Sequence, residues 1–390
     1  MLVLTDTDAL AGYCAAQRSA DFVTVDTEFV RDTTYWPKLC LIQIAGPDEP
    51  AIIDPLAPGM DLTPLLDLFA DTQVLKVFHA ARQDLEIFYH LCGRLPSPVF
   101  DTQVAAMVCG FGEQASYEKL AGALANARID KSARFTDWAR RPLGRRELDY
   151  ALSDVTHLRT VYAKLRSRLE RNGRAEWLSE EMATLTNPAT YDLDPENAWK
   201  RLKSRSRDRR YLAAVKALAG WREREAQRRD VPRNRVIRDE QLYDLAAQLP
   251  TTPDALGRTR GLNADVARGR IGKEILAEIE AVLALPKDSL PQAPKVDNAE
   301  APQALLDLLK VLLKHKCEEH DIAQKLVANS ADLEQIALDD HAEVAALTGW
   351  RRKIFGKDAL ALKRGDLALA AAGQRVKLVP LTAGGAEPKS

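Results

Sequence analysis

The chain has 390 residues, of which 46% are hydrophobic and 28% charged, with a formal net charge of −1. At roughly 150 residues per domain, this predicts two to three globular domains, and near-neutrality excludes a generic polyanion binder. No run approaches the ~18 apolar residues of a membrane-spanning helix, and the opening MLVLTDTDAL lacks the basic lead of a signal peptide, so a cytoplasmic protein with no membrane partner is expected.

The first part of the chain alternates short β-rich runs, DFVTVDTEFV, LCLIQIAG, AIIDP and VLKVFHA, with helical ones such as DLTPLLDLFA, which predicts an α/β domain. From about Ser116 onward the spacing is helical, most clearly in GRRELDYALSDVTHLRTVYAKLRSRLER. Two polar, proline-bearing stretches, NPATYDLDPENAW (187–199) and LPKDSLPQAPKVDNAEAP (285–302), read as linkers. The expected division is an α/β domain at 1–190, a linker at 191–209, a helical domain at 210–285, a linker at 286–302, a second helical domain at 303–372 and a disordered tail at 373–390. The two helical blocks repeat at an offset of 91, which lays Asp230 on Asp321, Val236 on Val327, Leu242 on Leu333 and Ala246 on Ala337. Five cysteines, Cys14, Cys40, Cys92, Cys109 and Cys317, are scattered with no C-x-x-C pair, which argues against a disulfide framework or a structural zinc site. Any metal is therefore expected on oxygen or histidine ligands.

Asp26 and Glu28 lie two apart on a predicted strand and so project from one face. A lone D-x-E is more often an edge strand with a solvated acidic face, so the assignment depends on other acids converging. Asp84, in VFHAARQDLEIF, stands in the first turn of a predicted helix, where the helix dipole alone explains an acid. Asp154 interrupts an apolar helical stretch four residues after Tyr150, which puts both on one helix face. His79 is expected to orient the adjacent turn rather than ligate, and Asp101 to act as a helix N-cap or as support to the site.

This ordered set of D-x-E, Asp and Y-x-x-x-D resembles the DEDD exonuclease superfamily in its tyrosine-bearing subclass. The strings FVTVDTEF, LCLIQIA, KVFHAARQDLEIF, PVFDTQVAA and LDYALSDV resemble the ribonuclease D family, and the helical repeats resemble the helicase-and-ribonuclease-D C-terminal (HRDC) domain, over about residues 1–370. The resemblance implies a ribonuclease-H-like α/β exonuclease domain with a mixed sheet followed by two all-α helical bundles. It implies a monomeric 3′-5′ exoribonuclease that trims the 3′ ends of tRNA precursors and other structured RNAs and releases nucleoside 5′-monophosphates. Two divalent metal ions, Mg²⁺ or Mn²⁺, are implied as cofactors, matching a set of four acids without cysteine. Asp26 would bridge both ions, Glu28 and Asp154 would bind the ion on the nucleophile side, Asp84 would hold the second through water, and Tyr150 would hydrogen-bond the attacking water. His157 follows Asp154, whereas the histidine subclass carries its histidine before the last Asp, so Tyr150 fills that role.

Between Ala198 and Arg238 stand 15 Lys or Arg and 4 Asp or Glu, a surplus of 11 positive charges expected to attract RNA, with Arg207 and Arg210 as candidate contacts. A second basic cluster before Tyr150 offers Arg134, Arg140, Arg141 and Arg145 as phosphate contacts, and Phe29, Tyr35 and Trp36 are candidates to stack on terminal bases. An ATP-driven helicase is excluded by the lack of a G-x-x-x-x-G-K-[ST] loop. A DNA exonuclease of the same superfamily and a non-catalytic RNA-binding scaffold are the alternatives. The second would require a decayed site, yet all four acids and the tyrosine are present.

Overall fold

The computed structural model describes residues 1–130, 133, 135–202, 206, 208–292 and 300–381. The N-terminal part contains β1 (Leu2–Leu4), α1 (Thr7–Gln17), β2 (Phe22–Val30), β3 (Lys38–Ala45), β4 (Ala51–Ile53), α2 (Thr63–Ala70), β5 (Leu75–Phe78), α3 (Arg82–Cys92), β6 (Val99–Asp101), α4 (Thr102–Val108) and α5 (Tyr117–Ala125). The long α6 (Arg145–Arg171) and α7 (Ala175–Leu185) complete it. The six strands form one mixed sheet in the order β1-β4-β3-β2-β5-β6, with β2-β3 and β3-β4 antiparallel and the other pairs parallel.

Alternation along β2 assigns its residues to two layers. Val23 and Val25 are fully buried with Leu10 of α1, Leu65 and Leu68 of α2 and Phe88 of α3. The intervening positions face α6, which is pinned across the sheet by polar bonds as well as by its apolar stripe. Thr24 Oγ1 donates to the Val155 carbonyl at 2.8 Å, and the Arg159 guanidinium donates to the Ala45 carbonyl at 2.9 Å while lying 4.3 Å from the centre of the Phe22 ring. These contacts fix the part of α6 that carries Tyr150 and Asp154 over the centre of the sheet.

The first helical module consists of α8 (Arg209–Arg229), α9 (Arg233–Val236), α10 (Asp239–Gln248), α11 (Pro253–Leu256), α12 (Ala264–Arg268) and α13 (Arg270–Ala284), packed around Leu218, Leu242, Leu245 and Ile275. The second consists of α14 (Gln303–His320), α15 (Gln324–Val327), α16 (Ser330–Leu338), α17 (Gly349–Arg351) and α18 (Lys357–Arg364). The offset of 91 recurs in the elements themselves. Both α8 and α14 end on an Asp in left-handed conformation, Asp230 at φ 49° and Asp321 at φ 48°, and α9 and α15 then span equivalent positions. Each of these aspartates also reaches the N-terminal α/β domain. Asp230 Oδ1 accepts the Tyr35 and Trp36 amides at 3.0 Å, and Asp321 pairs with Arg168 at 3.1 Å.

Two stretches differ from the sequence reading. Residues 195–201 form a 3-10 turn rather than a free linker, with Ala198 buried and Trp199 half-buried against the core of α8. Residues 367–380 form a hairpin of β7 (Leu367–Ala372) and β8 (Arg375–Pro380) where a tail was expected from 373, because Gly373 at φ 62° supplies the tight turn between two alternating runs. The expected tail beyond 381 and the middle of the 286–302 linker lie outside the described residues.

Candidate active site

Asp26 and Glu28 stand on the α6 side of β2, opposite Gln43 and Leu41 of β3. Between Glu28 and Phe29 the pairing slips by one residue past Cys40, a bulge of the kind that bends a strand and re-aims its side chains. From α6, Asp154 completes a group in which one carboxylate oxygen each of Asp26, Glu28 and Asp154 lies within 4.8 Å of the others. Asp84 comes from the opposite layer, in the first turn of α3. Its buried carboxylate accepts a hydrogen bond from Thr27, which points to that side of β2.

The start of α3 is set by Asp101, whose carboxylate accepts the Ala80 and Ala81 amides at 3.1 and 2.8 Å and the Gln103 amide at 2.7 Å. It therefore caps α4, as the sequence suggests, and also ties the β5–α3 turn to it. His79 Nδ1 lies 3.0 Å from Thr102 Oγ1, which itself donates to the Phe78 carbonyl, so the imidazole donates from Nδ1. Burial lowers its pKa, and it acts as a neutral orienting group.

Burial raises the pKa of every acid in the cluster: Asp26 to about 7, Asp154 to about 8 and Glu28 to about 9, with mutual repulsion adding to the last two. Asp84 is raised well above the carboxylate range by burial and then by the Asp26 charge. Among the described residues no lysine or arginine offsets this repulsion. Such an oxygen-only set without its own counter-charge fits a hard divalent cation. A folded-state pKa above the unfolded value means that the folded protein binds more protons between about pH 4 and the raised pKa values, so its stability falls as pH rises through that window. The ion-free protein is thus expected to lose thermal stability from about pH 6 to 9, with Mg²⁺ or Mn²⁺ restoring more of it at pH 9 than at pH 6. Thermal melts at several pH values, with and without chelator, check this; an ion effect independent of pH would count against the site.

Beside the acids is a cavity of about 270 Å³ lined by Asp26, Tyr150, Asp154, His79, Tyr117 and Ile129 among others. Tyr150 stacks loosely on Trp138, with ring centres 6.2 Å apart. Sequence reasoning missed Tyr117, whose hydroxyl donates at 2.9 Å to the Ser153 carbonyl next to Asp154. It also missed Gln43, directly opposite Asp26, whose amide is enclosed without a protein partner. The Q in LIQIA is the signal for the second, a polar residue in an otherwise apolar strand.

Several expected substrate contacts have structural roles instead. The Arg141 guanidinium binds both Asp54 oxygens at 2.7 Å and three backbone carbonyls, so its donors are spent inside the protein. Arg210 donates to the Val282, Leu283 and Leu285 carbonyls and Arg209 to those of Leu290 and Pro291, satisfying acceptors at and beyond the end of α13. Tyr35 is buried under Arg233 and Trp36 stacks on His90 at 3.8 Å, so neither is a free base-stacking platform. Much of the charge run is paired with acids: Arg224 with Glu196 and Glu278, Arg228 with Glu225, and Arg201 and Arg233 with Glu223. Phe29 is half-buried against the core of the N-terminal domain. Arg140 and Arg145 remain at the surface on Glu147 and Asp149, while Arg134 and Arg207 lie outside the described residues.

A mixed sheet that presents Asp-x-Glu from its central strand, with Tyr-x-x-x-Asp on the crossing helix, defines a nuclease of the 3′-5′ exonuclease class, and the 3′-5′ exonuclease family model matches residues 1–170. The HRDC domain model matches residues 212–279. Ribonuclease D of Gluconacetobacter diazotrophicus is 51% identical, covering 97% of both chains, and that of Granulibacter bethesdensis 50%, covering 97% of this chain and 96% of its own. The crystal structure of Escherichia coli RNase D, an exoribonuclease involved in structured RNA processing, superposes with a TM-score of 0.81 at 31% identity, covering 93% of this chain and 98% of its own. The chain belongs to the ribonuclease D family and is a 3′-5′ exoribonuclease, which leaves the DNA exonuclease and scaffold alternatives without support.

Proposed function

We propose that this exoribonuclease trims the 3′ ends of structured RNAs, tRNA precursors among them, one nucleotide at a time, with Asp26, Glu28, Asp84 and Asp154 holding two divalent cations. The observation that carries the reading is the convergence of three half-buried carboxylates within 4.8 Å beside a cavity containing Tyr150. Bound there, Mg²⁺ or Mn²⁺ would activate water and neutralise charge on the phosphate and the leaving oxygen. Water attacks the terminal phosphorus, the bond to the 3′ oxygen of the preceding nucleotide breaks, and a nucleoside 5′-monophosphate and a new 3′ hydroxyl result. Tyr150, with a phenol near pKa 10 in water, orients the attacking water rather than deprotonating it. Thr27 holds the Asp84 carboxylate, and Tyr117 braces the α6 backbone at Ser153, so both position the acids. Arg140 and Arg145, exposed near the start of α6, exchange weak surface pairs for substrate phosphate. Residues 1–190 carry the chemistry and the helical modules 210–285 and 303–372 present the RNA. Five free cysteines fit the reducing cytoplasm.

The test is direction. A 5′-labelled RNA should shorten stepwise, a 3′-terminal phosphate should slow the reaction, and a circular RNA should resist it. Cleavage of the circle or immediate release of the labelled 5′ nucleotide would contradict the proposal.

A further inference from the structure

Gln43 is 0% exposed, and neither its Nε2 nor its Oε1 has a hydrogen-bond partner among the described residues, a state no other buried carboxamide there shares. It stands opposite Asp26 of β2 on one side and Ile52 of β4 on the other, so all three side chains leave the sheet on the α6 face. Its chain neighbours Ile42 and Ile44 belong to the opposite face, in the core with α1, α2 and α3. Toward β4 the layer under α6 is apolar, with Leu41, Ile52, Trp138 and Ala151 in one cluster. A leucine would suit that layer, whereas an enclosed amide without partners is costly in it. On its other flank stands the Asp26 carboxylate, which lines the cavity that holds Tyr150 and Asp154. Glu28 lies one pleat farther along, opposite Leu41.

We propose that Gln43 is a positioning residue for the cation site, whose Nε2–H donates through an enclosed water to the Asp26 carboxylate and holds that carboxylate in place for metal. An ionised carboxylate is acceptor-only, with about four lone-pair sites, so it can receive this bond and still ligate. Directly opposite residues of an antiparallel pair have Cβ atoms about 4.5–5.5 Å apart, a separation that a glutamine amide and one water can bridge. The choice of an amide follows from the chemistry of the acids. A lysine or arginine in this position would neutralise the cluster and compete with the cation, whereas a carboxamide donates without bringing charge. The apolar cluster on the β4 side closes off bulk water, which leaves Asp26 as the acceptor toward which the amide is turned. Gln43 therefore acts through Asp26 and touches neither substrate nor cation itself.

The proposal rests on the reading of the acids as a cation site, and its test separates the two. Mn²⁺ binding to the full chain is measured by titration calorimetry, and the half-saturating Mg²⁺ concentration for RNA hydrolysis is measured alongside. Gln43→Leu, apolar and of similar size, should bind Mn²⁺ about tenfold more weakly, the lower end of the roughly ten- to hundredfold loss expected when the partner that orients a metal ligand is removed. The half-saturating Mg²⁺ concentration should rise by a similar factor. In chelator the same variant should melt at or above the parent temperature, because an unpaired buried amide has been replaced by hydrocarbon. Should the leucine variant fail to fold, Gln43→Met, unbranched and adaptable, carries the same measurements. Parent affinity for Mn²⁺ in a folded variant would overturn the proposal, and a lower melting temperature in chelator with that affinity unchanged would do so by assigning Gln43 to packing alone. If the parent itself binds no Mn²⁺, the reading of the acids falls and the role of Gln43 with it, whereas binding that the substitution leaves intact removes the role of Gln43 only.

Discussion

Asp26→Asn should reduce turnover at least about a thousandfold while leaving the fold intact or slightly more stable. Asp26 belongs to the carboxylate group on the α6 face of β2 and repels both Asp154 and Glu28. Losing its charge removes ligand capacity for the cations, and stabilisation of transition-state charge worth ~4 kcal/mol corresponds to about three powers of ten in rate. The same change relieves an unfavourable ionisation, since burial holds the Asp26 pKa at about 7. In chelator at pH 8 the variant should therefore melt at or above the parent temperature. A variant that melts far lower would assign Asp26 a packing role, and one that retains activity would remove it from the metal site.

Glu223→Ala should be the most damaging substitution away from the acids. Its carboxylate joins Arg233, Arg201 and Tyr35 in one buried cluster between the two domains, and Gln227 extends that cluster to the Tyr35 hydroxyl and the Leu193 carbonyl. Burial alone would raise the Glu223 pKa, but hydrogen bonds from Arg233 and Tyr35 outweigh it and hold the group below its ordinary value. The stability this contributes is present above the usual glutamate range and is lost as pH falls through the depressed value. Removing one partner of a buried pair costs roughly 3–5 kcal/mol, and about 3 is expected here because both arginines keep some water access. Tyr35→Phe should cost only about 1 kcal/mol. Denaturant unfolding measures both, and equal small losses would show that the interface depends on its apolar contacts instead.

The nuclease chemistry was legible because it rests on short periodicities. Two-residue alternation puts Asp26 and Glu28 on one face, four-residue spacing aligns Tyr150 with Asp154, and the Asp101 cap follows from its place before a helix. The roles of the arginines were not legible from a charge count. Arg210 and Arg141 seek carbonyls brought to them by folding, and nothing in a local window announces an acceptor 72 or 101 residues away. Tyr35 and Trp36 look like stacking aromatics in sequence, yet Asp230, reached across almost 200 residues, takes both their amides. Asp230 and Asp321 themselves coincide in the repeat, but only the left-handed turn at each explains why they match. The β7-β8 hairpin was missed because its strands are short and β7 is alanine-rich, with Gly373 the one firm turn signal.

The proposed role of Asp26, Glu28, Asp84 and Asp154 is to hold the cations that support hydrolysis of RNA from its 3′ end. The most direct measurement is the turnover of a 5′-labelled RNA by chelated protein, followed by titration with Mg²⁺ or Mn²⁺, with Asp26→Asn run in parallel. A metal site built on these acids predicts no turnover in chelator, saturable recovery by the parent and none by the variant. Full turnover in chelator, or equal recovery by Asp26→Asn, would contradict it.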